Sequence, residues 1–266
     1  MGHISFEESV KILKENLPEI KGSERVFLEN ALNRVLAEDV VAKYDNPYMP
    51  TASMDGYAVK YEDIDKDIKI IGRNPAGTFE YDEIKEGEAV KTYTGSFMPK
   101  GADTLVPIEN VEVEGDILKV VKKVQKGFSV RPVGEDFKKG EVLIKKGTLL
   151  KSGEIGVLAS LGMPVVSVVK KPVVSVLATG EEVVDLDEEY KMGQIRSSNN
   201  YTLTTLGRNF GFEAHNLGIA GDNKKVIKEK IVEALKNSDV VVTTGGVSVG
   251  DFDFVKEIVG EFEVLF

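Results

Sequence analysis

The last third of the chain alternates between strand and helix patterns, and this alternation limits the fold more than any other feature. V-V-S-V-L-A at 173–178 reads as a buried strand, Asn199 to about Asn209 as a helix, and E-A-H-N-L-G at 213–218 as a second strand. Asp222 is then placed to cap a helix carrying Ile227, Ile231, Ala234 and Leu235, after which D-V-V-V-T-T runs as a strand into Gly245-Gly246. Successive strand-helix-strand units predict a mostly parallel sheet with right-handed crossovers, and such sheets bind ligands beyond the carboxyl ends of their strands. Thr179-Gly180-Glu181-Glu182 and Thr244-Gly245-Gly246-Val247-Ser248 each follow a strand end, so both loops should open on the same edge. Their glycines let the backbone approach a ligand closely, and their hydroxyls suit phosphate oxygens. Glu263-Val264-Leu265-Phe266 reads as the start of a further strand.

The first two thirds follow a different pattern. Ser5 and Glu8 form a capping box, and Phe6, Val10, Leu13 and Leu17 follow at helical spacing before Pro18, which predicts a helix packed on one face. A second helix is expected from Ser23, with Phe27, Leu28, Ala31, Leu32, Val35 and Leu36 as its apolar stripe. From about Tyr57 to Val124 the chain breaks into short alternating runs: Val111 and Val113, the turn Glu114-Gly115-Asp116, then Leu118 and Val120. Helical sequence returns at Ser152–Leu161, with Ile155, Leu158 and Leu161 on one face and Gly162 at its end. The expected fold is a multidomain α/β protein. Residues 1–46 and 127–171 would form a discontinuous helical and β domain, 47–126 an inserted small β domain, and 172–266 a three-layer α/β domain with a mostly parallel sheet, incomplete at its C-terminus.

Composition narrows the chemistry. With no cysteine among 266 residues, disulfides, thiolate metal sites and thiol nucleophiles are excluded. His3 and His215 are too isolated to form a site. Net charge is −10, with 34 basic residues against 44 acidic ones, which argues against nucleic acid as a partner. An anionic ligand would need a local site of backbone amides, helix N-termini and a few cations. The charged N-terminus resembles neither a signal peptide nor a membrane span, so a soluble cytoplasmic protein with no membrane partner is expected. The chain has no P-loop, no H-x-x-x-H and no G-x-S-x-G elbow, and Gly245–Gly250 does not match G-x-G-x-x-G.

Several side chains have both a structural and a chemical reading. Asp55, beside Gly56 in the proline-rich run P-Y-M-P-T-A-S-M-D-G-Y-A-V at 47–59, could bind Mg²⁺ or bond its own turn. Thr94 and Ser96 flank Gly95 at a strand end and could meet an oxyanion or complete a turn. Arg131 beside Glu135 and Asp136 is either a structural ion pair or part of a substrate site. Glu181 and Glu182 should point in opposite directions, and Glu182 is taken as the one facing the cleft. Asp222 is a cap before it is a ligand. Of the last acidic pair, Asp251 is the more natural cap and Asp253 the more natural ligand-facing acid.

Taken in order, M-D-G-Y-A at 54–58, T-G-S-F-M-P-K-G-A-D at 94–103, R-P-V-G-E-D at 131–136, T-G-E-E-V at 179–183 and T-G-G-V-S-V-G-D at 244–251 resemble the molybdopterin molybdenumtransferases. This family comprises the MoeA proteins of prokaryotes and the E domain of gephyrin. The resemblance implies insertion of molybdate, or tungstate, into adenylylated molybdopterin with release of AMP and a requirement for Mg²⁺. It implies functional positions at Asp55, Thr94, Asp136, Glu182, Asp222 and Asp253, with Asp55, Glu182 and Asp253 as metal ligands. Ser53, Thr179, Gly180, Gly245, Gly246 and Ser248 would then hold the pterin or phosphate portion. A homodimer is also implied, with Asp55, Thr94 and Asp136 facing Glu182 and Asp253 across the subunit boundary. Family members continue into P-G-K-P and G-L-P-G-N-P segments and a C-terminal β domain, so the resemblance is to a C-terminally truncated member and implies a separate C-terminal piece as partner. A non-catalytic gephyrin-like scaffold or a pterin-binding module is the alternative.

Overall fold

A computed structural model describes residues 4–17, 19–77, 83–246 and 254–262. The chain divides into two compact units, one of Met1–Glu38 with Lys146–Phe266 and the other of Asp39–Lys145.

The first unit opens with helix α1, Phe6–Glu15, whose N-cap Ser5 accepts a hydrogen bond at Oγ from the Glu8 amide at 3.1 Å. Its apolar stripe is not covered as the spacing predicted: no residue of α1 is buried, and Phe6 is 77% exposed. The second expected helix does not form. Ser23–Phe27 is a strand, paired antiparallel with Val165–Val169, and a 3-10 turn follows at Leu28–Asn30. Helical spacing misled because only two members of the presumed stripe, Ala31 and Leu36, are buried, while Phe27 and Leu32 are exposed. Asn33 also takes a left-handed conformation, with φ of 61°, that no helix interior accepts. The β-branched run V-V-S-V-V at 165–169 supplies a strand partner that local pattern cannot reveal. Helix α2, Ser152–Ser160, buries Leu158 and closes at Gly162, where φ is 68°.

The rest of this unit is built on a parallel sheet in the order Glu213–Ala220, Val173–Thr179, Val240–Thr244, with a separate short parallel pair of Val183–Val184 and Ile195–Arg196. Helix α3, Ser198–Asn209, connects the first strand of this sheet in sequence to the second, and α4, Lys224–Asn237, connects the second to the third. Because α3 leads to one side of Val173–Thr179 and α4 back to the other, right-handed crossovers put the two helices on opposite faces. Side-chain alternation agrees. A Cβ on Gly207 of α3 would lie 3.1 Å from the Ala214 Cβ, on the face of its partner Val174. Leu177, an odd number of residues along, packs instead with Ile227 and Ile231 of α4 and with Val255 and Ile258 of α5, Phe254–Val259. A three-layer α/β arrangement results.

The cap of α4 differs from expectation. Asn223, not Asp222, is the N-cap, its Oδ1 accepting from the amides of Lys225 at 3.1 Å and Val226 at 3.2 Å. The Asp222 amide donates to Glu181 Oε1 at 3.0 Å, which holds Asp222 one residue short of the helix. The run expected as a strand at 263–266 lies outside the described residues.

The second unit is built on a six-stranded sheet, ordered Thr104–Pro107, Gly56–Val59, Glu88–Thr92, Ile68–Asn74, Ile117–Val120, Val111–Glu114. Its pairs are antiparallel except Ile68–Asn74 with Glu88–Thr92. The strand after Asp55 is buried on both faces: Tyr57 and Val59 join Ile68, Val106 and Leu118, while Ala58 joins Ala52, Met98 and Leu105. The expected hairpin forms between Val111–Glu114 and Ile117–Val120, with Gly115 at φ 64° in its turn.

Candidate active site

In the α/β unit the strand order reverses between Val173–Thr179 and Val240–Thr244, because their helices depart to opposite faces. This is the switch point at which open α/β sheets leave a crevice. A cleft of about 200 Å³ lies there, with Thr179, Glu182, Ser197, Asn199, Thr244 and Gly245 among its walls. The strand ends are held close. Thr179 donates from Oγ1 to the Thr244 carbonyl at 3.4 Å, and the Gly180 amide donates to the Ala220 carbonyl at 3.1 Å. Gly245 adopts φ of 88°, and a Cβ there would stand 2.5 Å from the Thr179 carbonyl oxygen, so the two loops touch only because position 245 has no side chain.

The paired glutamates separate as their adjacency requires. Glu182 folds back over Gly180, whose Cβ, if present, would lie 2.7 Å from both carboxylate oxygens, and it lines the cleft. Glu181 turns to the Asp222 amide instead. Asp222 is not among the cleft-lining residues, and Ser248 and Asp253 lie outside the described residues. Ser197 and Arg196, not singled out from sequence, stand in the same walls. A Ser-Ser-Asn run opening a helix beside a strand end was the available signal.

The second unit gathers three of the sequence motifs. Thr51–Ala52 pairs with Val130–Arg131, the Ala52 amide donates to the Ser96 carbonyl at 2.9 Å, and the Gly95 amide donates to the Ala52 carbonyl at 2.8 Å. Ser53 is tied to the Ser129 carbonyl through both its amide, at 3.0 Å, and its hydroxyl, at 3.3 Å. Asp55 Oδ1 accepts from the Thr94 amide at 2.8 Å and the Thr94 hydroxyl at 2.7 Å. The Thr94 amide, then its hydroxyl, hold the Asp55 carboxyl below the usual aspartate range. Asp136 is engaged by Arg131 Nη2 and by Asn46 Nδ2 at 3.1 Å, while Arg131 Nε pairs with Glu135. Asp55 is therefore held as an anion, and Asp136 is tied to Arg131 and Asn46. Among the described residues no cluster of three or more Asp, Glu or His could by itself hold a metal ion.

The Asp55 bond sets a pH dependence. A lowered folded-state pKa contributes stability above the unfolded pKa and loses it as pH falls through the folded value. The Thr94 amide resonance should titrate with a midpoint below that of a free aspartate, and Thr94→Val, which removes only the hydroxyl donor, should raise that midpoint. An ordinary midpoint in the unmodified protein would refute this account of Asp55.

Comparison with known proteins bears on what this geometry serves. The family described as MoeA N-terminal region (domain I and II) matches residues 4–162. The chain belongs to the MoeA family. A probable molybdopterin binding domain matches residues 175–264, the segment that contains the cleft. A molybdopterin molybdenumtransferase of Staphylococcus epidermidis is 34% identical over 263 residues, covering 96% of this chain and 62% of that protein. One from Staphylococcus aureus is 37% identical over 241 residues, covering 88% and 57%. A crystal structure of a molybdopterin biosynthesis MoeA protein from Pyrococcus horikoshii matches with a TM-score of 0.84 at 32% identity, covering 97% of this chain and 66% of that one. The chain thus spans about three fifths of the length of its curated MoeA relatives. No helix among the described residues is long and apolar enough to cross a membrane.

Proposed function

We propose that this chain acts in molybdenum cofactor biosynthesis, inserting molybdate or tungstate into adenylylated molybdopterin with release of AMP. The observation that carries the proposal is the switch-point cleft of a MoeA-family α/β unit, where two glycine-containing strand ends meet beside Glu182. Thr179, Gly180, Gly245, Gly246 and Ser248 would hold the pterin or phosphate portion, the glycines through close backbone approach and Thr179 by keeping the two strand ends together. In the homodimer that this reading includes, Asp55, Thr94 and Asp136 would face Glu182 and Asp253 of the partner subunit, with Asp55 an acceptor whose orientation Thr94 fixes.

Mg²⁺ belongs to this reading. Asp55 has one carboxylate oxygen committed to Thr94, and Glu182 lines the cleft, so each has carboxylate oxygen to lend to an ion. Such donors suit a hard ion that keeps waters and is shared with a phosphate. Mg²⁺ would neutralise charge between phosphate and oxyanion, with Asp55, Glu182 and Asp253 as its protein ligands. The three-part division into 1–46 with 127–171, 47–126 and 172–266, a homodimeric assembly and a cytoplasmic location complete the proposal.

The test supplies adenylylated molybdopterin, molybdate and Mg²⁺, and measures AMP with and without a separately expressed polypeptide matching the remaining two fifths of the relatives. AMP release dependent on molybdate is the expected result. Ligand binding without AMP in either arm would leave a pterin-binding module and overturn the transferase reading.

A further inference from the structure

The hydroxyl of Ser197 is out of place for a structural serine. Ser197 is 4% exposed, it lines the switch-point cleft, and among the described residues its Oγ has no hydrogen-bond partner. It also sits at the N-cap of α3, where a serine would ordinarily bond an amide of the first turn, yet it makes no such bond. A buried hydroxyl left unpaired is costly, so a protein keeps one mainly where something else completes it.

The surroundings specify what that is. Helix α3 runs for 12 residues, and its first turn contains no acidic side chain to offset the positive end of the helix. Ser198 and Asn199, its first two residues, also line the cleft. Arg196 precedes them in the same wall, its guanidinium oriented by Nη1 donating to the Asp185 and Glu188 carbonyls and lying 5.5 Å from the Tyr190 ring centroid. An uncapped helix start, a spare hydroxyl and an adjacent cation together make an anion site. Glu182 on the same cleft confines the anion to the α3 side or requires a divalent cation between them.

We propose that Ser197, with the first-turn amides of α3, binds a phosphate group, and that this end of the cleft receives the phosphate of the pterin substrate. The inference rests on the functional reading above and adds to it a specific anchor. Ser197 is here a positioning residue for the ligand and takes no part in bond making.

The probe is inorganic phosphate with Mg²⁺, added to the full 266-residue chain labelled for amide resonances. Phosphate should shift the amides of Ser198 and Asn199 in a saturable way. Ser197→Ala should weaken that binding about tenfold, the worth of one hydrogen bond to a charged acceptor. Ser198→Asp alters an exposed first-turn position, favours the helix through its dipole, and should abolish phosphate binding by repulsion. Unshifted α3 amides, or a Ser198→Asp protein that binds phosphate as tightly as the parent, would overturn the assignment. The two readings fail separately: phosphate shifts at α3 without AMP release would sink the transferase and leave the anion site. AMP release unaffected by Ser198→Asp would sink the anion site alone.

Discussion

Gly245→Ala is expected to destabilise its unit by about 4 kcal/mol, the combined cost of a left-handed residue with a side chain and of an overpacked contact. At φ 88° an alanine is strained wherever it stands, and here its Cβ would also meet the Thr179 carbonyl oxygen at 2.5 Å and the Thr179 Oγ1 at 3.0 Å. Neither atom can yield cheaply. The carbonyl belongs to the end of a strand hydrogen-bonded on both sides, and the hydroxyl is spent on Thr244. Gly211→Ala is the matched control in the same unit, because φ there is 85° but nothing lies within 4 Å of the added methyl. That variant should lose only about 1 kcal/mol. Urea unfolding of the two proteins separates strain from collision, and equal losses would show that the loops at 179 and 245 are not in contact.

Such a loss would be a large part of the 5–15 kcal/mol that holds a typical domain together. The contact brings the two loops that border the cleft within reach of each other. Gly246 repeats the arrangement, with φ of 64° and a hypothetical Cβ 2.9 Å from both Thr179 Oγ1 and Val255 Cγ2. Two successive left-handed glycines against one threonine are a device for close approach, which ordinary packing of a strand end does not require.

How much of this could be read from the chain depended on where each element finds its partner. Val173–Thr179 and Val240–Thr244 were legible because parallel strands covered on both faces need continuous apolar runs, and the helices between them carry their own period. Ser23–Phe27 was not, since its strand partner, Val165–Val169, lies far along the chain and the intervening Leu28, Ala31 and Leu32 imitate a helical stripe. At the start of α4 the residue type was right and the position wrong by one, because Asp222 and Asn223 cap about equally well and only the Glu181 contact decides between them. In the site, Glu182 stood out by its motif. Ser197 did not, because burial and an unmet hydrogen bond are properties of the folded chain that no residue type announces.

The second large effect concerns the glutamate pair. Under the proposed function, Glu182→Ala is expected to lower molybdate-dependent AMP release at least 100-fold, the order of loss seen when a preorganised charge is removed from a reacting site. Glu181→Ala should leave the rate within a few-fold, since Glu181 contacts the Asp222 amide and is absent from the cleft walls. The two variants remove the same group from adjacent positions, so general charge and composition cancel between them and only direction remains. Stability should run the opposite way. Glu181→Ala leaves the Asp222 amide without its partner, whereas Glu182→Ala relieves a carboxylate folded over Gly180 and should not destabilise the unit. Thermal unfolding of both proteins alongside the AMP assay therefore distinguishes a chemical role from a structural one. A Glu182→Ala protein with an undiminished rate would move the reaction away from this cleft, even with the fold intact.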